Sequence, residues 1–295
     1  MLRCVMDDSA RGFALNEAGY CNFCIDFQAS DPLMDSGNEN ELFQITKSPK
    51  NEYDCVVGVS GGVDSSMVLV KAVDLGLRPL AVHMDNGWNS ELSQNNISNL
   101  VNGLGVDLVT HVIEWGEYKK LMQAFINANV IDIELLYDNA MLEVNYATAK
   151  KFGIKTILAG TNKRTEGMAM PSNWGWYKMD GRNIKSIAYS HGIKNFDTFP
   201  IFTLKKYIIY KYLHKIKWIS ALDYLNYDKN SALEILQNNH DYKPYPYKHY
   251  ESIFTRFYQG YILPRKFGVD KRKLHLSTLI MTNRIEQRKG TEITR

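Results

Sequence analysis

The chain has 295 residues, 45% of them hydrophobic, which is enough to bury a full core in one large domain or two ordinary ones. Its 35 basic and 32 acidic side chains leave a formal net charge of +3, without the strong basic excess typical of proteins that bind nucleic acids or membrane surfaces. No run of about 18 apolar residues predicts a membrane-spanning helix, and the N-terminus lacks the apolar core of a signal peptide, so we expect a cytoplasmic protein without nucleic-acid or membrane partners.

The four cysteines, Cys4, Cys21, Cys24 and Cys55, would be reduced in the cytoplasm, so a metal cluster or plain packing is favoured over a disulfide framework. Three of them fall in the first 27 residues, which are predicted to be loop-like. Residues 28–51 are polar and are predicted to form a linker. Residues 1–50 are therefore interpreted as an N-terminal cysteine-cluster segment and linker.

Residues 51–200 are predicted to form the main domain, because short apolar runs alternate there with segments of helical spacing. Strands are expected at residues 54–59, 78–84, 107–112 and 155–159, and helices at residues 63–77, 91–104, 118–128 and 139–152. This alternation predicts an α/β fold with a doubly wound parallel sheet and right-handed crossovers. Residues 201–295 are rich in Tyr, Lys and Ile at helical spacing, as in residues 204–216, and are predicted to form a mostly helical appendage.

The segment Ser60-Gly61-Gly62-Val63-Asp64-Ser65-Ser66 lies between the first predicted strand and the first predicted helix. In an α/β sheet this position is the mouth of the crevice at the carboxyl ends of the strands, where ligands bind. The two glycines let the backbone approach a phosphate, the helix N-terminus attracts an anion, and the serines add hydroxyl donors. A Gly-Gly turn can also start a helix that binds nothing, but the complete string after a buried strand favours a pyrophosphate cradle.

The same string resembles the signature of the PP-loop ATP pyrophosphatases, which have the adenine nucleotide alpha hydrolase-like fold. The resemblance implies that a substrate carbonyl oxygen attacks the α-phosphate of ATP, with Mg²⁺ on the departing pyrophosphate. It also implies that the backbone at Met84 and Asp85, after the second strand, meets the adenine. Gly160 and Thr161, after a later strand, would meet the nucleotide again.

Further motifs, spread over nearly the whole chain, narrow the resemblance to the N-acetyl sugar amidotransferases of bacterial surface-polysaccharide and nonulosonic-acid pathways. They are Cys4 with Gly19-Tyr20-Cys21-Asn22-Phe23-Cys24, then His83-Met84-Asp85-Asn86-Gly87-Trp88, Gly160-Thr161-Asn162, Thr165-Glu166-Gly167, Trp174-Gly175 and Lys248-His249-Tyr250-Glu251-Ser252. The resemblance implies that the acetamido group of a nucleotide-linked sugar becomes an acetamidino group, in LPS, O-antigen or nonulosonic acid biosynthesis. The amide oxygen is adenylated, and ammonia then displaces AMP.

The resemblance assigns roles to particular residues. It implies ATP contacts at Ser60, Gly61, Gly62, Val63, Asp64, Ser65, Ser66, Met84, Asp85, Gly160 and Thr161, and catalytic roles for Asp64, Ser65, Lys163 and Glu166. Asp138, at a predicted helix start, is a further candidate to hold Mg²⁺ or the substrate amide, or it caps its helix.

The ammonia must come from another protein, because the chain shows no glutaminase nucleophile in context and Cys55 falls in a predicted buried strand. The family resemblance implies a separate glutaminase subunit accompanied by a cyclase-like subunit, both resembling imidazole glycerol phosphate synthase. The substrate it implies is a nucleotide sugar.

The N-terminal cysteines resemble a Zn²⁺ site with one ligand too few. A structural zinc site takes four ligands, whereas Cys4, Cys21 and Cys24 supply three, and Met1 stands where the family has its first cysteine. Asp7 or a residue far along the chain is expected to complete the site. The alternatives are an empty site or three small buried thiols.

Departures from the family pattern leave two further hypotheses open. Pro246-Tyr247 replaces a glycine pair, Lys163-Arg164 is bulkier than usual, and the chain stops at Arg295 where relatives continue. One hypothesis is therefore a shortened, non-catalytic partner of the glutaminase. The other is a PP-loop tRNA-modifying enzyme, although such an enzyme needs a catalytic cysteine pair or an iron–sulfur cluster and a strongly basic face.

Two charged groups of residues near the C-terminus keep two interpretations each. Lys248, His249, Glu251 and Arg256 lie at helical spacing and are interpreted as substrate or partner contacts, or else as a solvated helix face. A basic run would meet the diphosphate of a nucleotide sugar or simply solubilise the surface. Its members are Arg265, Lys266, Lys271, Arg272 and Lys273.

Overall fold

The computed structural model describes residues 3–30, 37–246 and 250–294. Its strands are β1 (Cys55–Gly58), β2 (Pro79–Asp85), β3 (Leu108–Val112), β4 (Thr156–Ala159) and β5 (Lys217–Ser220). The helices up to β4 are α1 (Asn22–Ala29), α2 (Glu39–Thr46), α3 (Val63–Asp74), α4 (Glu91–Leu104), α5 (Trp115–Asn127) and α6 (Leu135–Lys151). Those after β4 are α7 (Lys163–Glu166), α8 (Gly181–Ser190), α9 (Leu204–Ile208), α10 (Lys229–Asn239), α11 (Ile253–Phe257), α12 (Lys271–Met281) and α13 (Gln287–Thr294).

The five strands form one parallel sheet in the order β3-β2-β1-β4-β5. The central strand β1 pairs with β2 through Val56 and Leu80 and with β4 through Val56 and Ile157. Parallel neighbours need a crossover, and helices provide it on both faces. The α/β, doubly wound fold expected from the alternation of strands and helices is confirmed.

The two faces of β1 bury different helices because successive side chains on a strand point to opposite sides. Val56 packs in a core with residues of α5, α6 and α8. Val57 packs in a second core with residues of α3, α4 and α10. All strands run the same way, so their carboxyl ends meet at one edge, and the turn between β1 and α3 lies at its centre.

The C-terminal part of the chain contributes a strand that the sequence prediction missed. β5 pairs in parallel with β4, for example Trp218 opposite Ile157, and forms one edge of the sheet. The expectation of a mostly helical segment holds elsewhere, and α9 continues as a π-helical segment, Ile209–Leu213, before β5 begins. The predicted helix over residues 204–216 is therefore too long at its C-terminal end.

The N-terminal 50 residues contain more regular structure than expected. α1 lies partly within the segment predicted to be loop-like, and α2 lies in the predicted linker, where Leu42 is buried against the core beside α3. Asn38 caps α2 by accepting a hydrogen bond from the backbone N–H of Glu41. Within the described ranges, no helix has the length and apolarity to cross a bilayer.

The later helices α11 and α12 lie near the strand ends. α11 begins at Ile253 with Ser252 as its N-cap and continues as a π-helical segment, Tyr258–Phe267. Lys248 and His249, predicted on the same helix, lie outside the described residues. α12 packs against α7 and α1, which brings the end of the chain to the strand edge and to the N-terminal cysteines.

Candidate active site

The phosphate loop, residues 60–66, joins β1 to α3. Gly61 has a φ of +77°, and a Cβ at this position would lie 2.7 Å from the carbonyl oxygen of Ser93, so only glycine fits. Gly62 is the N-cap of α3 and has no side chain to accept from the first helical N–H groups. Those groups, at the positive end of the helix dipole, are therefore available to an anion.

Two serines and a second glycine complete this turn. The hydroxyl oxygens of Ser60 and Ser65 are 3.2 Å apart, and the Ser65 hydroxyl donates to the carbonyl oxygen of Gly62 at 3.3 Å. Opposite them, Gly160 at the end of β4 lies so close that a Cβ there would be 2.8 Å from the backbone nitrogen of Ser65. The end of β4 and the start of α3 thus form two sides of one small polar site.

Two tyrosines from the C-terminal part of the chain hold the phosphate loop from behind. The hydroxyls of Tyr242 and Tyr245 both donate to the carbonyl oxygen of Gly61, at 2.9 Å and 3.0 Å. Burial raises the pKa of both phenols, that of Tyr245 to about 12, so they act as neutral donors. These two contacts fix the position of the Gly61 carbonyl and, with it, the backbone of the turn.

Asp64, the acidic residue of the loop, is also held by the C-terminal part of the chain. The hydroxyl of Tyr227 donates a short hydrogen bond to one carboxylate oxygen, and the ammonium of Lys229 lies 3.8 Å from the other. Burial and the neighbouring carboxylate raise the pKa of Tyr227. Sequence reasoning missed all three tyrosines, because each meets the loop across more than 160 residues and carries no local signal of this role.

A cavity of about 1320 Å³ opens from the phosphate loop across the strand ends. Single small-molecule sites occupy about 300–1,000 Å³, so this space is large enough for two ligands side by side. Seven of the residues predicted for ATP or catalysis lie on its wall: Ser60, Asp64, Ser65, Met84, Gly160, Thr161 and Glu166. The structure therefore brings together side chains from the ends of β1, β2 and β4.

Six other predicted residues do not lie on the cavity wall. Gly61, Gly62 and Val63 are backbone positions of the turn, and Ser66 is 1% exposed inside α3. The Asp85 carboxylate instead accepts from the backbone N–H of Gly87 at 2.9 Å. Lys163 is exposed at the start of α7, where its backbone N–H donates to Asp223.

The far half of the cavity is lined by ion pairs. Glu134 accepts from the ammonium of Lys271 at 2.9 Å and from the amide of Gln259 at 3.0 Å and 2.9 Å. Lys178 bridges Asp138 at 2.9 Å and Asp132 at 2.7 Å. Lys178 thus serves two carboxylates, and apart from Asp64 the cavity wall carries four acidic and four basic side chains, so this half presents polar groups with little net charge.

Asp138 lies in the first turn of α6, as expected from the sequence. Its side chain lines the cavity and is 35% exposed, while the rest of it is enclosed by protein. The resulting desolvation raises its pKa, and the nearby ammonium of Lys178 only partly opposes that shift. The pKa of Lys178 is raised in turn, because the attraction of two carboxylates outweighs its own desolvation.

The C-terminal helix α12 forms one wall of this far half. Its basic residues, two of which line the cavity, are paired within the protein: Lys271 with Glu134, Arg272 with Asp270 and Lys273 with Asp7. Arg265 lies over the ring of Tyr261 and Lys266 over the ring of Phe267. Each of the five basic side chains thus has a partner within the protein, and contact with the diphosphate of a nucleotide sugar stays a prediction.

Three cysteines form a buried cluster beneath α12. The sulfur of Cys21 is 3.6 Å from that of Cys4 and 3.4 Å from that of Cys24, and each side chain is at most 1% exposed. The neighbouring Cys24 and Cys4 thiols, together with the backbone N–H of Cys24, lower the pKa of Cys21, which favours a thiolate. Cys55 is separate, buried in β1, where desolvation raises its pKa.

The cluster has the spacing that a metal ion needs. Zn–S bonds of about 2.3 Å in a tetrahedron place ligand sulfurs about 3.8 Å apart, close to the observed separations. Among the described residues, no His, Asp or Glu joins the three sulfurs. Asp7, named as a possible fourth ligand, instead binds the Lys273 ammonium and the Ser9 hydroxyl.

Two family models match the chain over separate segments. The model of the NAD synthase family matches residues 43–201, and that of the C-terminal domain of WbpG-like LPS biosynthesis proteins matches residues 251–295. A search of the curated proteins finds no match. The first match contains the phosphate loop with β1 to β4, and the second contains the α12 wall of the cavity.

The chain has a distant similarity to three solved structures, each 14% identical to it. One is the NH3-dependent NAD synthetase from Campylobacter jejuni in complex with nitrate, with a TM-score of 0.36 and coverage of 92% of this chain and 95% of that one. Another is the NMN synthetase from Francisella tularensis, with a TM-score of 0.36 and coverage of 76% of this chain and 97% of that one. The third is the U34-tRNA thiolase NcsA from Methanococcus maripaludis with its 4Fe–4S cluster, with a TM-score of 0.38 and coverage of 91% of this chain and 83% of that one. Likeness at this level identifies no activity. Because the NAD synthase model covers more than half of the chain, the protein belongs to this family and is an amidotransferase-like member of the PP-loop superfamily, with the C-terminal segment of WbpG-like LPS biosynthesis proteins.

Proposed function

We propose that the protein is an AMP-forming amidotransferase that converts the acetamido group of a nucleotide-linked sugar to an acetamidino group. The pathway would be the biosynthesis of LPS, its O-antigen or a nonulosonic acid. The observation that carries the proposal is one continuous cavity, which joins a phosphate loop to a second, nearly neutral polar site. The match of residues 251–295 to WbpG-like proteins supports the same pathway class.

The reaction has two steps. The amide oxygen of the sugar forms a bond to the α-phosphorus of ATP while the bond from that phosphorus to pyrophosphate breaks. Ammonia then forms a bond to the activated carbon, and the carbon–oxygen bond to AMP breaks with loss of one proton. Adenylation is needed because the oxygen of an unactivated amide is a poor leaving group.

Residues on the cavity wall suit these steps. The N–H groups at the start of α3, with Ser60 and Ser65, would hold the departing pyrophosphate. Mg²⁺ is bound in such sites by substrate phosphates and one or two carboxylates, and Asp64 on the same wall fits that role. Glu166 and Asp138, which face the same cavity, are the candidates to orient the sugar amide.

A separate protein would supply the ammonia. Among the described residues no cysteine lines the cavity, so neither a glutaminase nucleophile nor the cysteine chemistry of a tRNA thiolase is found there. We propose a glutaminase subunit with a cyclase-like companion, both resembling imidazole glycerol phosphate synthase, as partners. Ammonia is small and uncharged, and it would enter the far half of the cavity.

The direct test supplies purified protein with ATP, Mg²⁺, ammonium and a nucleotide-linked acetamido sugar. AMP should appear together with a product one mass unit lighter, because NH replaces O. Glutamine alone should give no product. ADP instead of AMP, or product from glutamine with this chain alone, would overturn the proposed mechanism. Absence of any ATP consumption in the reconstituted mixture with the glutaminase would favour a non-catalytic subunit.

The buried cysteine cluster is proposed to hold one Zn²⁺ with a fourth, non-cysteine ligand. Bound there, the ion would fasten the N-terminal segment to the main domain. Metal analysis should give about one zinc per chain, as in a closed structural site. Less than a tenth of that amount, with an unchanged melting temperature after chelation, would instead indicate three buried thiols.

A further inference from the structure

Asn145 has a buried oxygen without a hydrogen-bond partner in the wall of the cavity. The residue lies on α6, is 3% exposed, and lines the cavity. No hydrogen bond reaches its Oδ1 atom. A buried polar atom without a partner lowers stability by about 1–3 kcal/mol, so a donor supplied by a ligand would remove this deficit.

The orientation of the Asn145 amide is fixed by its other end. Its Nδ2 atom donates to the backbone carbonyl oxygen of Met141 at 2.9 Å. A carbonyl oxygen only accepts, so the nitrogen must face Met141 and the oxygen must face the opposite way. A Cβ on Gly58, at the end of β1, would lie 3.0 Å from this oxygen, which places the amide directly over the strand that leads into the phosphate loop.

The surroundings of Asn145 are apolar and suit a flat ring. α6 packs across β1, β2 and β4, and the side chains that line the cavity on those elements include Val82, Met84, Met141 and Ile157. An apolar slot with a single placed polar group is the usual form of a small-molecule site. The slot begins next to the residues that would hold the phosphates, so the nucleoside end of the same ligand is its natural occupant.

We infer that Asn145 Oδ1 accepts a hydrogen bond from the 6-amino group of adenine and thereby selects ATP over GTP. This inference depends on the ATP use in the proposed function. An amide oxygen can only accept, and adenine presents a donor at position 6 where guanine presents an oxygen.

The test compares nucleotides on the wild-type protein by titration calorimetry with Mg²⁺, without sugar or ammonia. The ligands are ATP, GTP, 2′-deoxy-ATP and purine riboside triphosphate, which lacks only the 6-amino group. We expect the purine analogue to bind about tenfold more weakly than ATP, the size of one hydrogen bond to a buried group, and GTP more weakly still. Equal affinity for ATP and the purine analogue, or a loss confined to 2′-deoxy-ATP, would overturn the inference.

Variants tie the selectivity to Asn145. In Asn145→Leu, which has similar volume and no acceptor, the preference for ATP over the purine analogue should drop from about tenfold to about onefold. Asn145→Asp retains an acceptor and should keep a clear preference, although all triphosphates bind less well beside the added charge. Asn102→Leu, an exposed residue of α4, is the matched control and should behave as wild type.

The outcomes separate this inference from the proposed function. Binding of ATP and the purine analogue without discrimination overturns the role of Asn145 alone, whereas failure of all triphosphates to bind overturns both. Because Asn145→Leu removes a buried oxygen that has no hydrogen-bond partner, the ligand-free variant should melt at a temperature no lower than that of wild type. If that variant does not fold, the comparison of ATP with the purine analogue on wild-type protein still tests whether the 6-amino group is recognised.

Discussion

The two halves of the cavity differ in the groups that line them, backbone groups and hydroxyls in one half and charged side chains in the other. The phosphate-loop half uses backbone N–H groups, hydroxyls and close glycine contacts, and its carbonyl at Gly61 is held by two tyrosines. The far half uses charged side chains, with Lys271 on Glu134 and Lys178 on Asp138. An anion therefore finds preformed donors on one side, and the other side offers polar groups with balanced charge.

This difference teaches which ligand each half suits. A fixed array of N–H groups binds phosphate without a titrating cation. The strength of that binding therefore depends on the backbone position to a fraction of an ångström. A balanced set of ion pairs attracts neither an anion nor a cation strongly, and it suits an uncharged amide. Backbone geometry should therefore control the first half, and charge pairing should control the second.

The largest effect is expected when the backbone geometry is broken at Gly160. In Gly160→Ala the new Cβ would meet the Ser65 nitrogen at 2.8 Å, so the start of α3 must move. A shift of about 1 Å in a reacting group can lower a rate about 100-fold, and we expect at least that loss in pyrophosphate release. The matched control is Gly103→Ala, since nothing lies within 4 Å of a Cβ there, and it should raise stability by up to about 1 kcal/mol. Normal turnover in Gly160→Ala would contradict the expectation that backbone geometry controls the phosphate-loop half of the cavity.

The second effect concerns charge pairing in the far half. Lys271→Met leaves the Glu134 carboxylate, with 10% of its side chain exposed, without its cation. Removal of one partner of a buried ion pair lowers the free energy of unfolding by about 3 kcal/mol, which urea denaturation would measure. Glu134→Gln in the same protein should recover much of the loss.

The exposed ion pair between Arg288 and Glu292 is the control for that change. Its side chains are 89% and 63% exposed, so Arg288→Met should change stability by less than about 0.5 kcal/mol. A similar loss of unfolding free energy in Lys271→Met and Arg288→Met would show that burial does not make the Lys271–Glu134 pair more important for stability than an exposed pair.

The tyrosine contacts to Gly61 give a smaller effect. Tyr242→Phe and Tyr245→Phe each remove one of two donors to the same carbonyl, so each should lower stability by about 1 kcal/mol or less. The double variant should lose more than the sum, because the carbonyl then has neither donor, and the KM for ATP should rise with it. Tyr212→Phe, at an exposed position, is the control. Additive losses would contradict a shared role.

The smallest effect is a dependence on pH in the far half. Burial raises the pKa of Asp138 in the folded protein, so the folded state binds this proton more readily than the unfolded state, whose Asp pKa is about 3.9. The contribution of this proton to the free energy of unfolding is fully present below about pH 3.9 and is lost as the pH rises through the pKa of Asp138 in the folded protein. Wild type should therefore lose stability relative to Asp138→Asn as pH rises above about 4. Thermal melting of both proteins from pH 3 to pH 8 measures this, and the reverse trend would contradict the raised pKa.

The sequence predicts the parts of the fold that are local. β1, the phosphate loop and α3 follow one another within about 20 residues, and their apolar spacing and glycines determine them with little outside help. α4 was predicted at the bounds that the structure gives, because Ser90 caps its start and Gly105 ends it in the left-handed region. The confirmed fold rests on such self-contained segments.

The missed features depend on distant partners. β5 has only four residues, and its pattern becomes a strand only because β4 offers an open edge. The contacts of Tyr227, Tyr242 and Tyr245 with the phosphate loop join residues more than 160 apart, and nothing in their neighbourhood distinguishes them from other tyrosines. The catalytic and ATP-binding residues assigned by resemblance stay predictions, although seven of them share one cavity wall.

The late position of these tyrosines has a consequence for synthesis of the protein in the cell. The phosphate loop leaves the ribosome early, but Tyr242, which holds its Gly61 carbonyl, follows 181 residues later. At about 5–20 residues per second, the nascent chain carries an unsupported loop for roughly 10–35 s. For most of that interval β5 is also missing from the sheet edge. A growing chain should therefore bind nucleotide poorly until its last quarter is made, and ATP would then report on completion of the fold as well as take part in the reaction.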